Sequence, residues 1–218
     1  MLKLVKLVLG LLFLPLCVGA AVALWQVLLT FRHADTIWLP LAAGAGAWIV
    51  IYILLPRPMW FYVLGHELTH AIAAWCFGGR VGGMKVRGEG GHVALSKTNF
   101  VIALAPYFFP FYVVIVLLLF LLARLVWPWE PLQMPFLVCL GMAYGFHVTL
   151  TAHVLKTRQS DITQHGYLFS SVIICLGNLL LLLLGLPLLT STPPLPDAFV
   201  WCWEATIQTV ESIRGWVA

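Results

Sequence analysis

Polar positions are few along this chain, and between them run apolar segments of about the length a membrane-crossing helix needs. A helix rises about 1.5 Å per residue, so a hydrocarbon layer of about 30 Å takes about 20 mostly apolar residues. Residues 7–30 form the first such run, and 37–55 the second, after the polar break Arg32-His33-Ala34-Asp35. Pro56-Arg57-Pro58 ends the second run, and a third span is predicted from Met59 to about Phe77. Further spans are predicted over about 100–126, 132–155 and 167–190, which makes six. Residues 78–98 are the clearly non-apolar internal stretch, rich in glycine and carrying Arg80, Lys85, Arg87 and Lys97. Met84-Lys85-Val86-Arg87 and His92-Val93-Ala94-Leu95-Ser96 each alternate with a period of two, on either side of Gly88-Glu89-Gly90-Gly91. That pattern predicts a β-hairpin over 84–96 beside the membrane. Its open backbone edge suits the addition of an extended peptide as a further strand. Beyond Pro193-Pro194, the placing of Trp201, Trp203, Glu204, Glu211 and Arg214 predicts an amphipathic helix lying at the membrane interface. The predicted fold class is an all-α polytopic membrane protein with about six transmembrane helices and a small membrane-associated β-hairpin. Two N-terminal helices occupy 1–57, a four-helix core 58–191 and the interfacial helix 192–218.

Composition agrees with lipid as the main solvent. Of 218 residues, 62% are hydrophobic and 9% charged, where a soluble domain has about 25% charged residues to solvate its surface. The net charge of +4 is not gathered on one face, so the footprint of a nucleic-acid partner is missing; the partner implied is the lipid bilayer. Cys17, Cys76, Cys139, Cys175 and Cys202 are scattered with no CxxC pair, as small apolar side chains are. Lys3 and Lys6 precede the first apolar run, and Ala21-Val22-Ala23 resembles a signal-peptidase site. The run continues to Leu29, too long for a signal core, so an uncleaved first span is expected. With six spans, one side of the membrane holds Lys3, Lys6, Arg57, Arg124 and Arg214. The other holds Arg32, Arg80, Lys85, Arg87, Lys97, Lys156 and Arg158, which by the positive-inside rule puts the hairpin and the junction after the fifth span in the cytoplasm. The N-terminal lysines point the other way.

The chemistry is concentrated in the third span, Leu64-Gly65-His66-Glu67-Leu68-Thr69-His70-Ala71. Residues four apart on a helix share a face, so His66 and His70 can offer both imidazoles to one metal ion. Glu67, beside the first ligand, is placed to act as the general base that takes a proton from the attacking water. Two histidines and a glutamate are costly to bury in an apolar helix, and ionisable groups at that depth point to function. A zinc site of this type takes three protein ligands and keeps one position open. Candidates for the third ligand are Asp161, His165, His153, His147 and His92. Asp161, in Arg158-Gln159-Ser160-Asp161-Ile162 at the junction of spans five and six, is favoured by residue chemistry. It would equally serve with Gln164 as an N-cap pair opening the sixth span. His165 is its strongest rival. His147 and His153 are six apart, point to different sides of span five, and suit polar contacts between helices; His92 suits a solvated loop. Gly141 and Gly145 are spaced for close helix packing.

These residues resemble the site-2 protease family, the M50 group of intramembrane zinc metallopeptidases. The resemblance rests on Gly65-His66-Glu67-Leu68-Thr69-His70-Ala71 in a membrane helix, Gly78-Gly79 with the glycine-rich hairpin, Leu104-Ala105-Pro106 in the next span, and a later aspartate near a helix junction. It covers roughly 58–178, with 1–57 as additional spans in front. It implies one zinc per chain, Asp161 as the third ligand, an active site toward the cytosolic side, and cleavage of transmembrane segments or signal-peptide remnants in the cell membrane. Two features depart from the family pattern: Asp161 precedes Ile162 with no proline nearby, and Ala105-Pro106-Tyr107-Phe108-Phe109 replaces a Gly-Pro with a following asparagine. A proteolytically inactive M50-like scaffold or regulatory protein is the alternative, against which the intact Glu67 argues. A zinc transporter would need acids and histidines along several spans, and the first, second and fourth have essentially none.

Overall fold

A computed structural model describes residues 2–30, 35–88 and 90–217. Residues 32–34 of the expected polar break and Glu89 of the hairpin turn lie outside the described residues. Helices dominate: α1 (Leu2–Thr30), α2 (Asp35–Leu54), α3 (Met59–Cys76), then strands β1 (Val81–Arg87) and β2 (Gly90–Leu95), followed by α4 (Phe100–Leu104), α5 (Phe111–Ala123), α6 (Glu130–Val154), α7 (Ser160–Thr163), α8 (Tyr167–Thr190) and α9 (Leu195–Val217). Among the described residues, four helices are long and apolar enough to cross a membrane: α1, α2, α6 and α8. A fifth crossing is available if the helices over Phe100–Tyr107 and Phe111–Ala123 count as one broken span.

The run expected as one helix over 100–126 is bent by 75°. Its cause lies in two prolines. Pro106 sits in a 3-10 turn over Ala105–Tyr107, and Pro110 occupies the cap position before α5. Proline lacks the N–H that would continue a helix and drives the residue before it out of helical geometry. The third expected span, α3, has 18 residues and stands outside the group that qualifies by length and apolarity. His66, Glu67, Thr69 and His70 are what lower its apolar character, so the chemistry-bearing residues and the weak span signal are one feature.

The chain divides into two compact units, residues 1–34 with 160–218, and residues 35–159. In the first, α1 packs against α8 and α9. Ala20, Ala23 and Val27 of α1 join Val172, Leu176 and Leu183 of α8 and Ala198 and Cys202 of α9 in one core. Small residues make the approach close: a side chain at Gly19 would meet the Cys202 carbonyl and Thr206 of α9. Helix α9 is amphipathic as expected, with Ala198, Cys202 and Ala205 buried and Trp203 and Trp216 outward.

In the second unit α2 lies along α6 through reciprocal glycines: Gly44 abuts the Val138 carbonyl and Gly141 the Leu41 carbonyl, with no room for a Cβ at either. Trp48 of α2 donates from its indole nitrogen to Thr149 Oγ1 of α6 at 2.7 Å. Trp48, Tyr62, Val63 and Leu150 then form a core shared by α2, α3 and α6. The hairpin is antiparallel, with Met84 opposite Val93, Lys85 opposite His92 and Val86 opposite Gly91, and it packs on α3. Helix α5 buries none of its residues, and Leu118, Leu119, Leu121 and Leu122 are more than half exposed. An uncovered row of leucines of this kind requires an apolar surrounding such as lipid.

Candidate metal centre

Helix α3 carries the centre because its spacing puts His66 and His70 on one face. Their ring centroids are 4.8 Å apart at 81°, an approach compatible with two imidazoles sharing one ion at about 2.0–2.1 Å from each nitrogen. His70 and Glu67 are buried and His66 half-buried. His70 Nδ1 lies 2.8 Å from the Ile102 carbonyl oxygen. A carbonyl only accepts, so Nδ1 carries the proton, and the ring presents its lone pair at Nε2. This is the orientation that second-sphere carbonyls impose on metal-binding histidines.

Three further elements frame the pair. The Asn99 side chain caps α4 by accepting from the Ile102 N–H at 2.8 Å, which fixes the same residue whose carbonyl holds His70. The 3-10 turn over Ala105–Tyr107 packs on α3, with the buried Tyr107 ring edge-on to His66 at 5.2 Å and 86°. Gly65 leaves space for Tyr112 of α5, whose ring stands 2.8 Å from where a Cβ would be; the Tyr112 hydroxyl donates to the Phe61 carbonyl. Strand β2 covers Glu67. A Cβ at Gly91 would sit 2.7 Å from Glu67 Cγ, Glu67 Oε1 and Val63 Cγ1 alike.

No protein-family model matches the chain, nor does any curated protein or solved structure.

The remaining ligand candidates differ in setting. His147 is 6% exposed, lies on the wall of a recess shared with His66, and its Nε2 makes no hydrogen bond. The interhelical hydrogen bond expected of it is not formed at that atom. His153 is half-buried in the last turn of α6, about 9 Å further along the axis by helix rise. His92 is exposed on β2. In the other unit Asp161 stands half-buried in the first turn of α7. The residue that caps α8 is Gly166, at φ 90°, so Asp161 does not open the sixth expected span as an N-cap. His165 is held at Nδ1 by Lys6 Nζ at 2.6 Å. Burial and the Lys6 charge push its pKa below the ordinary histidine range, against the opposing pull of Asp161. Its other ring nitrogen, Nε2, is buried and makes no hydrogen bond.

Sequence reasoning passed over Asn99 and Gly91. The first had a readable signal, an asparagine directly before an apolar run, which is the pattern of a helix cap. The second had none, since its neighbour Glu67 is distant in the chain.

Proposed function

We propose that the protein is an intramembrane zinc metalloendopeptidase of site-2 protease type, hydrolysing peptide bonds in or near transmembrane segments of other membrane proteins. His66, His70 and Asp161 hold one zinc ion per chain and Glu67 is the general base. The observation that carries this reading is His70, buried beside Glu67 and turned by the Ile102 carbonyl so that Nε2 is its ligand atom. The donor set is chemically suited to zinc, two imidazoles and a carboxylate with a position left for water. Zinc, when bound, supplies Lewis-acid polarisation of water and of a carbonyl. Glu67, buried on the same helix next to His66, takes the proton of the attacking water and delivers it to the leaving amine.

In this reading α3 and the broken helix pair are two additional crossings of a six-span, multi-pass protein of the cytoplasmic membrane, with α9 at the interface. The centre and the hairpin face the cytosol, and the substrate is a membrane-protein or signal-peptide-like segment. Burying the His66–Glu67–His70 face against the hairpin and the 3-10 turn keeps these polar groups out of lipid, which is the condition for carrying them at all.

The test is zinc content of the detergent-purified protein, wild type against His66→Ala and Asp161→Ala. One zinc per chain, lost in both variants, is the expected result. Zinc absent from folded wild-type protein overturns the reading in favour of an inactive scaffold. Zinc retained by Asp161→Ala and lost by His66→Ala moves the third ligand to another residue. A Glu67→Gln protein that keeps its zinc is then the trap for an uncleaved substrate.

A further inference from the structure

We propose that His147 is the hydrogen-bond donor that receives the carbonyl oxygen of the peptide bond to be cleaved. The inference rests on the hydrolytic reading above and assigns to it a substrate-binding group on a second helix. Helix α6 brings His147 to the wall of a small open recess that it shares with Tyr62, His66, Pro106, Tyr112 and Phe146. The residue is 6% exposed, and its Nε2 is buried with no hydrogen-bond partner. Leaving such an atom unmatched costs about 1–3 kcal/mol, and buried polar groups are otherwise almost always paired. A group kept in this condition beside His66 is suited to a partner that arrives with the substrate.

The other walls of the recess say what kind of partner. Tyr62 gives its hydroxyl to Thr151 Oγ1 at 3.2 Å, and Tyr112 gives its own to the Phe61 carbonyl. Both tyrosines thus present ring faces and edges to the recess, and Phe146 adds a third ring, packed 5.0 Å from that of Tyr112. A small aromatic recess into which His147 brings an unmatched ring nitrogen suits a single carbonyl of an unwound apolar peptide, one that has lost its helical hydrogen bond. In lipid that carbonyl has no water to turn to, so a protein donor both holds the substrate extended and marks the bond to be cut. As the water oxygen bonds to the carbonyl carbon, the carbonyl π pair moves onto its oxygen, where Nε2–H of His147 stabilises the growing charge. Glu67 holds the proton from that water and passes it to the amide nitrogen as the C–N bond breaks, leaving a carboxyl and an amine.

The experiment uses the full-length protein loaded with cobalt(II) in place of zinc, with acetohydroxamate as the probe and visible absorption as the readout. The hydroxamate carbonyl stands in for the peptide carbonyl. In His147→Phe, which fills the space without a donor, acetohydroxamate affinity is expected to fall about tenfold or more. His147→Gln, which keeps an N–H, is expected to retain most of the affinity, and the spectrum of the ligand-free metal is unchanged in both. Equal affinity in wild type and His147→Phe overturns the role of His147 while leaving the metal centre in place. A cobalt spectrum altered in both variants overturns it too, by making His147 a ligand of the metal. Wild-type protein that takes up no cobalt overturns the metallopeptidase reading and this inference with it.

Discussion

Gly91→Ala tests the most specific packing relation of the site, that strand β2 lies directly on the carboxylate of Glu67. The added Cβ would stand 2.7 Å from Glu67 Cγ, Glu67 Oε1 and Val63 Cγ1. Carbon atoms rest at about 3.5–4.0 Å, so the methyl group intrudes by about 1 Å on three atoms at once. Either β2 lifts from α3 or the Glu67 side chain is displaced, and overpacking of this size costs about 1–3 kcal/mol. Gly83→Ala in the same hairpin is the control, because a Cβ there meets nothing within 4 Å; its effect is expected to stay within about 0.5 kcal/mol.

A double-mutant cycle separates the two ways of relieving the clash. Glu67→Ala removes Cγ and Oε1 and leaves only Val63 in the way of the new methyl. If β2 rests on the carboxylate, Gly91→Ala costs at least about 0.5 kcal/mol less in the Glu67→Ala background than in wild type. The assay is unfolding by dodecyl sulfate titration in mixed micelles, followed by far-ultraviolet circular dichroism. A Gly91→Ala protein as stable as Gly83→Ala, or a coupling of zero with Glu67, would refute the placement of β2 over the Glu67 side chain.

Two further outcomes follow from neighbouring contacts. Asn99→Ala removes the cap that fixes Ile102, so stability is expected to fall by about 0.5–2 kcal/mol and zinc affinity by about 10–100-fold through the slackened hold on His70. Asn99→Asp, which keeps the acceptor, restores both, and a capless protein with unchanged zinc affinity by competition with a chelator would sever the link. Gly141→Ala forces a methyl against the Leu41 carbonyl and is expected to lose about 1–3 kcal/mol in the same titration. Gly46→Ala, with open space at its Cβ, is expected to be neutral or to gain up to about 1 kcal/mol from helix propensity.

What could be read from the sequence divides by the range of the interaction concerned. Helices α1, α2, α6 and α8 begin and end close to their expected limits, because lipid enforces unbroken apolar helices and the polar punctuation between them is local. The hairpin was legible from its alternation, yet β1 starts at Val81 rather than Met84, since Gly82 and Gly83 have no side chains to alternate. Hydropathy concealed the bend between α4 and α5: a run of phenylalanine, valine and leucine looks continuous whichever way two prolines turn it. At the site, the sharing of one face by His66 and His70 follows from four residues of helix and is visible in the sequence alone. What orients His70 is a backbone carbonyl, and a carbonyl belongs to every residue type, so Ile102 carried no mark. Gly91 is informative only once Glu67 is known to lie beneath it, 24 positions earlier in the chain. His147 is the intermediate case: its identity was visible and its setting was not. The motif helix supplies the reactive groups from local spacing. The elements that arrive from elsewhere in the chain, a cap and a strand, orient His70 and cover Glu67, and in the proposed reading one histidine on α6 adds the donor that a centre acting on a peptide needs.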